Sequence, residues 1–227
     1  MVRLPGVHSP VSDTWLLAEA ARKDGLAGKS FLDLCTGTGA LAVYAAGAGA
    51  ARVAAVDLSS RAVLNATLNG LLNRAEIDVR RGDLFAPFDG ERFDVIVSNP
   101  PYIPAETDDL PRRGPRLALD GGRNGRLLVD RICAEAPAHL NRGGALYVVH
   151  SAVCGTRATC EAMRTGGLTP EIVVEHCGRL GPVMSSRAAM LRERGLLGNG
   201  DDEVVVVIRG RMEMARVLAS HRDIDIP

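Results

Sequence analysis

Short apolar runs rich in β-branched residues recur along this chain, and segments with helical spacing lie between them. The runs are Phe31–Leu34, Arg52–Val56, Ile77–Val79, Phe93–Ser98, Ala145–Val149, Ile172–Glu175 and Val204–Ile208. They are too short for helices and read as strands. A helix follows Asp13, a plausible N-cap, and carries Trp15, Leu17, Ala20 and Ala21. Others cover Ala40–Ala48, the stretch from the cap Ser59 to about Leu72, Gly125–Leu140, Thr156–Arg164 and, within the irregular segment 178–200, a short piece near Ser186–Glu193. Strand alternating with helix admits few architectures, and the economical one is an α/β fold, a doubly wound, mostly parallel sheet of seven strands. One domain over 1–227 is expected, with 1–12 a loose lead-in and 211–227 a C-terminal tail.

Composition excludes several classes. No apolar run approaches the roughly 20 residues of a membrane span, and Met1–Pro10 lacks a signal-peptide core, so the expected compartment is the cytosol. The five cysteines are odd in number with no C-x-x-C pair, which argues against a disulfide framework and a structural zinc site. The five histidines show no ligand spacing, so no metal is expected. With 27 basic and 27 acidic residues, the chain is not basic enough to grip duplex DNA chiefly by its phosphates.

In doubly wound sheets, ligands sit outside the carboxyl ends of the strands. The fourth strand ends there in Asn99-Pro100-Pro101-Tyr102. Two prolines fix φ and stop the ladder, leaving a rigid corner. Asn99 can accept an N–H from a planar nitrogen beside a carbonyl held by Pro100, and Tyr102 offers a flat face for stacking. The first strand runs into Asp33-x-Cys35-x-Gly37-x-Gly39, a strand–turn–helix junction where backbone can approach a ligand closely. G-x-G-x-x-G is absent, and Asp33 suits a cationic amino group instead. Asp57, ending the second strand, can take the hydroxyls of a ribose. Asp83 and Leu84, after the third, offer a carboxylate for an exocyclic amine and an N–H for a ring nitrogen. Amino acid, ribose and adenine together describe S-adenosylmethionine, with its methyl aimed at Asn99. Singly, each feature has an ordinary structural explanation; their order on successive strands does not.

These residues resemble class I S-adenosylmethionine-dependent methyltransferases acting on planar nitrogens, and more closely the HemK/PrmC group, which modifies the Gly-Gly-Gln loop of peptide-chain release factors. Phe31-Leu-Asp-Leu-Cys-Thr-Gly-Thr-Gly-Ala-Leu-Ala42, Tyr102-Ile-Pro104 and Leu117-Ala-Leu-Asp-Gly-Gly122 with Gly125 carry the likeness over roughly residues 7–210. It implies a Rossmann-like fold, S-adenosylhomocysteine as product and a release factor as protein substrate. Bacterial members carry an N-terminal helical domain, whereas almost nothing precedes Ser9 here. Ser9-Pro-Val-Ser-Asp-Thr-Trp15 is similar to the compact archaeal and eukaryotic subgroup. By that likeness Thr14 touches the cofactor, and a small activating partner protein is implied. Cys35 replaces the first glycine of the usual loop.

The expected chemistry is direct transfer. Hydrogen bonds from an amide NH2 to the Asn99 oxygen and the Pro100 carbonyl would localise the nitrogen lone pair and orient it. The same geometry suits an exocyclic amine of RNA or DNA, or a small-molecule amine. Arg112, Arg113, Arg116, Arg123, Arg126 and Arg131 could serve RNA, although Asp108, Asp109, Asp120 and Asp130 interleave. His150 and Ser151 follow the fifth strand and read as a satisfied strand-end pair.

Overall fold

A computed structural model describes residues 1–213, and its seven strands pair into one sheet. β1 (Ser30–Leu34), β2 (Arg52–Asp57), β3 (Asp78–Arg81), β4 (Phe93–Ser98) and β5 (Leu140–Ser151) are parallel. β6 (Leu168–Arg179) and β7 (Asp202–Met212) are antiparallel to each other, and β7 lies antiparallel to β5, giving the order β3-β2-β1-β4-β5-β7-β6. The helices are α1 (Ser12–Lys23), α2 (Ala40–Gly47), α3 (Ser60–Leu72), α4 (Leu127–Glu135), α5 (Thr156–Thr165), and the short α6 (Pro182–Ser186) and α7 (Ala188–Glu193). The strand order reverses between β1 and β4, and this switch point is where ligands bind.

Both faces of the sheet are covered, which is why the central strands are apolar throughout rather than alternating. Phe31, Val53, Val95 and Val97 pack on one side with Leu17 and Ala21 of α1 and Leu41 and Ala45 of α2. Leu32, Val56, Ile96 and Leu146 pack on the other with Val129 and Ile132 of α4 and Met163 of α5. Full burial of a side chain such as Ile96 or Phe93 contributes about 1.5–3 kcal/mol. No helix among the described residues is long and apolar enough to cross a membrane.

The lead-in is not loose. Asn69 accepts from Val2 N–H and Asn65 accepts from Leu4 N–H, both at 2.7 Å, and both asparagine Nδ2 groups donate back to Val2 O. α3 therefore buries asparagines inward and leaves Leu64, Leu71 and Leu72 exposed. Its N-cap Ser59 accepts from Ala62 N–H as expected. Asp13 is not the cap of α1: the helix begins at Ser12, and Asp13 lies inside its first turn. α4 is shorter than its apolar pattern because Gly125 and Arg126 form the turn before it and Pro137 tightens 136–139 into a 3-10 turn. β3 lies one to two residues later than expected. β5 starts at Leu140, with Gly143 and Gly144 inside a register shift opposite Phe93–Val95 rather than before the strand. β6 and β7 are much longer than their apolar cores, since the pairing runs from Leu168↔Met212 to Arg179↔Asp202 through polar ends, where Arg209 of β7 also pairs with Glu171 of β6. Of the expected tail, Arg211 and Met212 belong to β7, and 214–227 lies outside the described residues.

Candidate active site

The carboxyl ends of β1, β2, β3 and β4 open into a cavity of about 640 Å³, within the range of small-molecule sites. Asp33, Cys35, Gly37, Asp57, Asp83, Leu84 and Asn99 line it, together with Thr14 of α1. Gly6–Pro10 of the anchored N-terminal segment forms a wall that went unrecognised in the sequence, and Arg112–Pro115 of the connection after β4 forms another, of which Arg112 and Arg113 were expected near the pocket mouth.

The turn after β1 is shaped by backbone conformation. Cys35 sits at φ +59° and Leu84 at φ +49°, left-handed values costing an L-residue about 1–2 kcal/mol. Both strained residues face the cavity. Gly39 is at φ +81°, and a Cβ there would lie 2.9 Å from the Ala66 backbone, so only glycine lets the turn settle against α3. Asn69 links the two, donating to Thr38 O at 2.9 Å.

Three aspartates form the inner wall. Asp33 is buried; its Oδ2 accepts from Thr36 Oγ1 at 2.5 Å, and its Oδ1 is the one buried side-chain polar atom without a partner among the described residues. Burial pushes its carboxyl up to about 7. Asp57 Oδ2 accepts from Gly37 N–H and Oδ1 from Ser59 N–H, both at 2.9 Å, tying the end of β2 to the glycine turn. Burial raises its carboxyl against those two donors. Asp83 is half-exposed, and both its oxygens accept from Arg131 at 3.0 and 3.1 Å. An exposed pair of that kind is worth about 0–1 kcal/mol, so it leaves Asp83 open to another donor.

The corner after β4 is braced from two sides. Asn99 Nδ2 donates to Thr14 Oγ1 at 3.3 Å, which leaves Oδ1 to accept. Pro100 and Pro101 are buried. Gly125, at φ +76°, passes so close that a Cβ would stand 2.1 Å from Tyr102 O, and the Cys154 thiol donates to that same oxygen at 3.1 Å. Ile103 N–H donates to Leu119 O and Gly121 N–H to Ile103 O, so the motif around Gly121–Gly125 is the strap behind the corner. Pro101 reaches the cavity, whereas Pro100 and Tyr102 do not line it. The Tyr102 ring packs partly against the core and its hydroxyl donates to the Asp13 carboxylate.

The arginines resolve into two groups. Arg116 pairs with Asp120, Arg123 donates to Glu106 O, Arg126 is buried against Cys154, Gly155 and Thr159, and Arg131 holds Asp83. Arg112 and Arg113 alone of the six have no partner among the described residues, and both border the cavity. His150 is buried with Nδ1 against Ser151 O and Nε2 against Thr159 Oγ1, and burial lowers its pKa to about 4. That is a satisfied strand-end histidine.

Residues 2–110 match the family model described as Methyltransferase small domain. A putative protein N5-glutamine methyltransferase of Methanocaldococcus jannaschii is 33% identical over 168 residues, spanning 74% of this chain and 84% of that protein. A ribosomal protein uL3 glutamine methyltransferase of Bradyrhizobium diazoefficiens is 47% identical over 124 residues, 51% of this chain and 38% of its own length. A release factor glutamine methyltransferase of Geobacter sulfurreducens is 37% identical over 150 residues, 63% of this chain and 53% of its own length. The chain thus spans most of the archaeal relative and about half or less of these bacterial ones. Among solved structures, the E. cuniculi Mtq2-Trm112 complex, described as responsible for methylation of the eRF1 translation termination factor, aligns with a TM-score of 0.64 at 24% identity, over 92% of this chain and 99% of that one. It supports the fold.

Proposed function

We propose, for a chain that belongs to the protein N5-glutamine methyltransferases of the HemK/PrmC type, that it methylates the side-chain amide of a glutamine in a peptide-chain release factor, in the cytoplasm. The observation that carries this reading is the orientation of Asn99: Thr14 takes its Nδ2, and Oδ1 is left at the cavity to accept an N–H from a planar nitrogen.

The residues present fit S-adenosylmethionine. Asp33 Oδ1, buried and unpartnered, would hold the cationic amino group; Asp57 the ribose; Asp83 and the Leu84 backbone the adenine. When bound, that cofactor supplies an electrophilic methyl group. The chain does the rest. The Asn99 oxygen would take an N–H of the acceptor amide, drawing the lone pair onto nitrogen and fixing its direction; the Pro100 carbonyl, expected as a second acceptor, does not line the cavity. Cys35 and Leu84 hold the walls in strained backbone that a bound ligand would over-determine. No base is assigned, since His150 is enclosed and both its nitrogens are engaged; the proton leaves after transfer.

A partner protein belongs to the reading, because the E. cuniculi neighbour is a complex with Trm112. An exocyclic amine of RNA is disfavoured by the internal pairing of Arg116, Arg123, Arg126 and Arg131. Glutamine of ribosomal protein uL3 is the second reading, favoured by the 47% identity to an enzyme of that name. The test is Asn99→Ala assayed for S-adenosylhomocysteine affinity and for turnover. Retained affinity with turnover reduced on the order of 100-fold is expected for a group acting on the acceptor. Equal loss of both would remove Asn99 from that role.

A further inference from the structure

Two adjacent residues in the first turn of α1 reach across 89 and 85 positions to hold the two side chains that matter at the corner. Asp13 accepts the Tyr102 hydroxyl, and Thr14 accepts the Asn99 amide. Both are buried, at 8% and 7% exposure, and Ser12 Oγ donates to the other Asp13 oxygen at 3.0 Å. A carboxylate so enclosed has no helix-capping duty, since α1 has no side-chain cap bond at all. The Tyr102 ring is correspondingly turned into the wall and not into the cavity.

We propose that Asp13 is a positioning residue for methyl transfer, clamping Tyr102 while its neighbour Thr14 fixes the Asn99 amide. The inference rests on the reading of Asn99 given above. Charge-assisted hydrogen bonds are shorter and about twice as strong as neutral ones, so the Asp13–Tyr102 contact is the stiff member of the pair. Tyr102 follows the two prolines directly, and backbone fixed at Tyr102 fixes the corner that carries Asn99. Thr14 Oγ1 accepts from Asn99 Nδ2, and in that arrangement the Asn99 oxygen stays free to accept. The opposite orientation would present an N–H to the acceptor's own N–H and repel it. The clamp leads straight back to Gly6–Pro10, the cavity wall anchored on α3, so the cofactor wall and the acceptor corner share one rigid element.

The experiment is a double-mutant cycle of Asp13→Asn and Tyr102→Phe, with Thr14→Val and Thr14→Ser beside it. Each of the two single variants should lose on the order of 10- to 100-fold in kcat at unchanged S-adenosylhomocysteine affinity, and the double variant no more than either. Thr14→Ser, which keeps the hydroxyl, should retain most of the turnover that Thr14→Val loses. Losses in Asp13→Asn and Tyr102→Phe that multiply, or Asp13→Asn at the wild-type rate, overturn the clamp. The same cycle is read as melting temperature, which needs no acceptor: coupled shifts support the clamp and additive ones overturn it. Absence of glutamine methylation by the wild-type protein therefore overturns the proposed function alone.

Discussion

Asp33→Asn separates what the cavity costs the fold from what it gives to binding. In the folded protein the Asp33 carboxyl titrates at about 7 against an ordinary 3.8, because it is buried with one oxygen unpartnered. Between those two values the folded state holds a proton that the unfolded chain has lost. Stability therefore falls as pH rises from about 4 to 7 and is flat above. At about 1.4 kcal/mol per unit, ionised Asp33 costs the ligand-free protein about 4 kcal/mol at pH 8. Asparagine removes that cost, keeps an oxygen for Thr36, and adds an NH2 whose burial without a partner costs about 1–3 kcal/mol. The ligand-free variant is therefore expected to be more stable than wild type by about 1–3 kcal/mol at pH 8, with the gain gone by about pH 5. Binding moves the other way. A cationic amino group loses its buried counter-charge, a loss of about 3 kcal/mol or roughly a hundredfold in Kd for S-adenosylhomocysteine. Urea unfolding at pH 5 and pH 8, with and without S-adenosylhomocysteine, reads all four corners. An Asp33→Asn protein that is less stable than wild type at pH 8 without ligand, or that binds as tightly, refutes the reasoning.

Gly125→Ala places a Cβ 2.1 Å from Tyr102 O at φ +76°, so about 2–4 kcal/mol of stability and most turnover should be lost, read by melting and by kcat. Asn69→Ala removes the bonds to both Val2 and Thr38, and is expected to expose residues 1–10 to limited proteolysis while weakening S-adenosylhomocysteine binding, with α3 still helical by circular dichroism. Ile96→Ala, at the centre of β4 and fully buried, should cost about 2–5 kcal/mol by urea unfolding.

The sheet was legible because its central strands are buried on both faces, and runs such as Phe93–Val97 carry that burial in their composition. That one cavity gathers Asp33, Asp57, Asp83 and Asn99 was legible for a related reason: each lies at or just beyond the carboxyl end of a strand, where topology puts ligands. What sequence pattern missed is held by polar contacts between distant residues. Asn65 and Asn69 anchor a segment more than 60 positions away, and their signal was two asparagines spaced i, i+4 among alanines on the inner face of α3. Asp13 imitates an N-cap locally and is claimed instead by Tyr102, 89 residues on. The ends of β6 and β7 carry exposed residues such as Glu171 and His176, so pairing there leaves no apolar trace.

The methyl acceptor proposed for this protein is a glutamine side-chain amide of another protein. The most direct measurement incubates the purified protein and methyl-labelled S-adenosylmethionine with extract from cells lacking the gene, followed by digestion and mass spectrometry of the labelled species. One added methyl on the glutamine amide of a release-factor Gly-Gly-Gln peptide, lost when that glutamine is replaced, is the predicted result. Label on a uL3 glutamine would keep the chemistry and change the substrate, and label that nuclease removes would contradict the account.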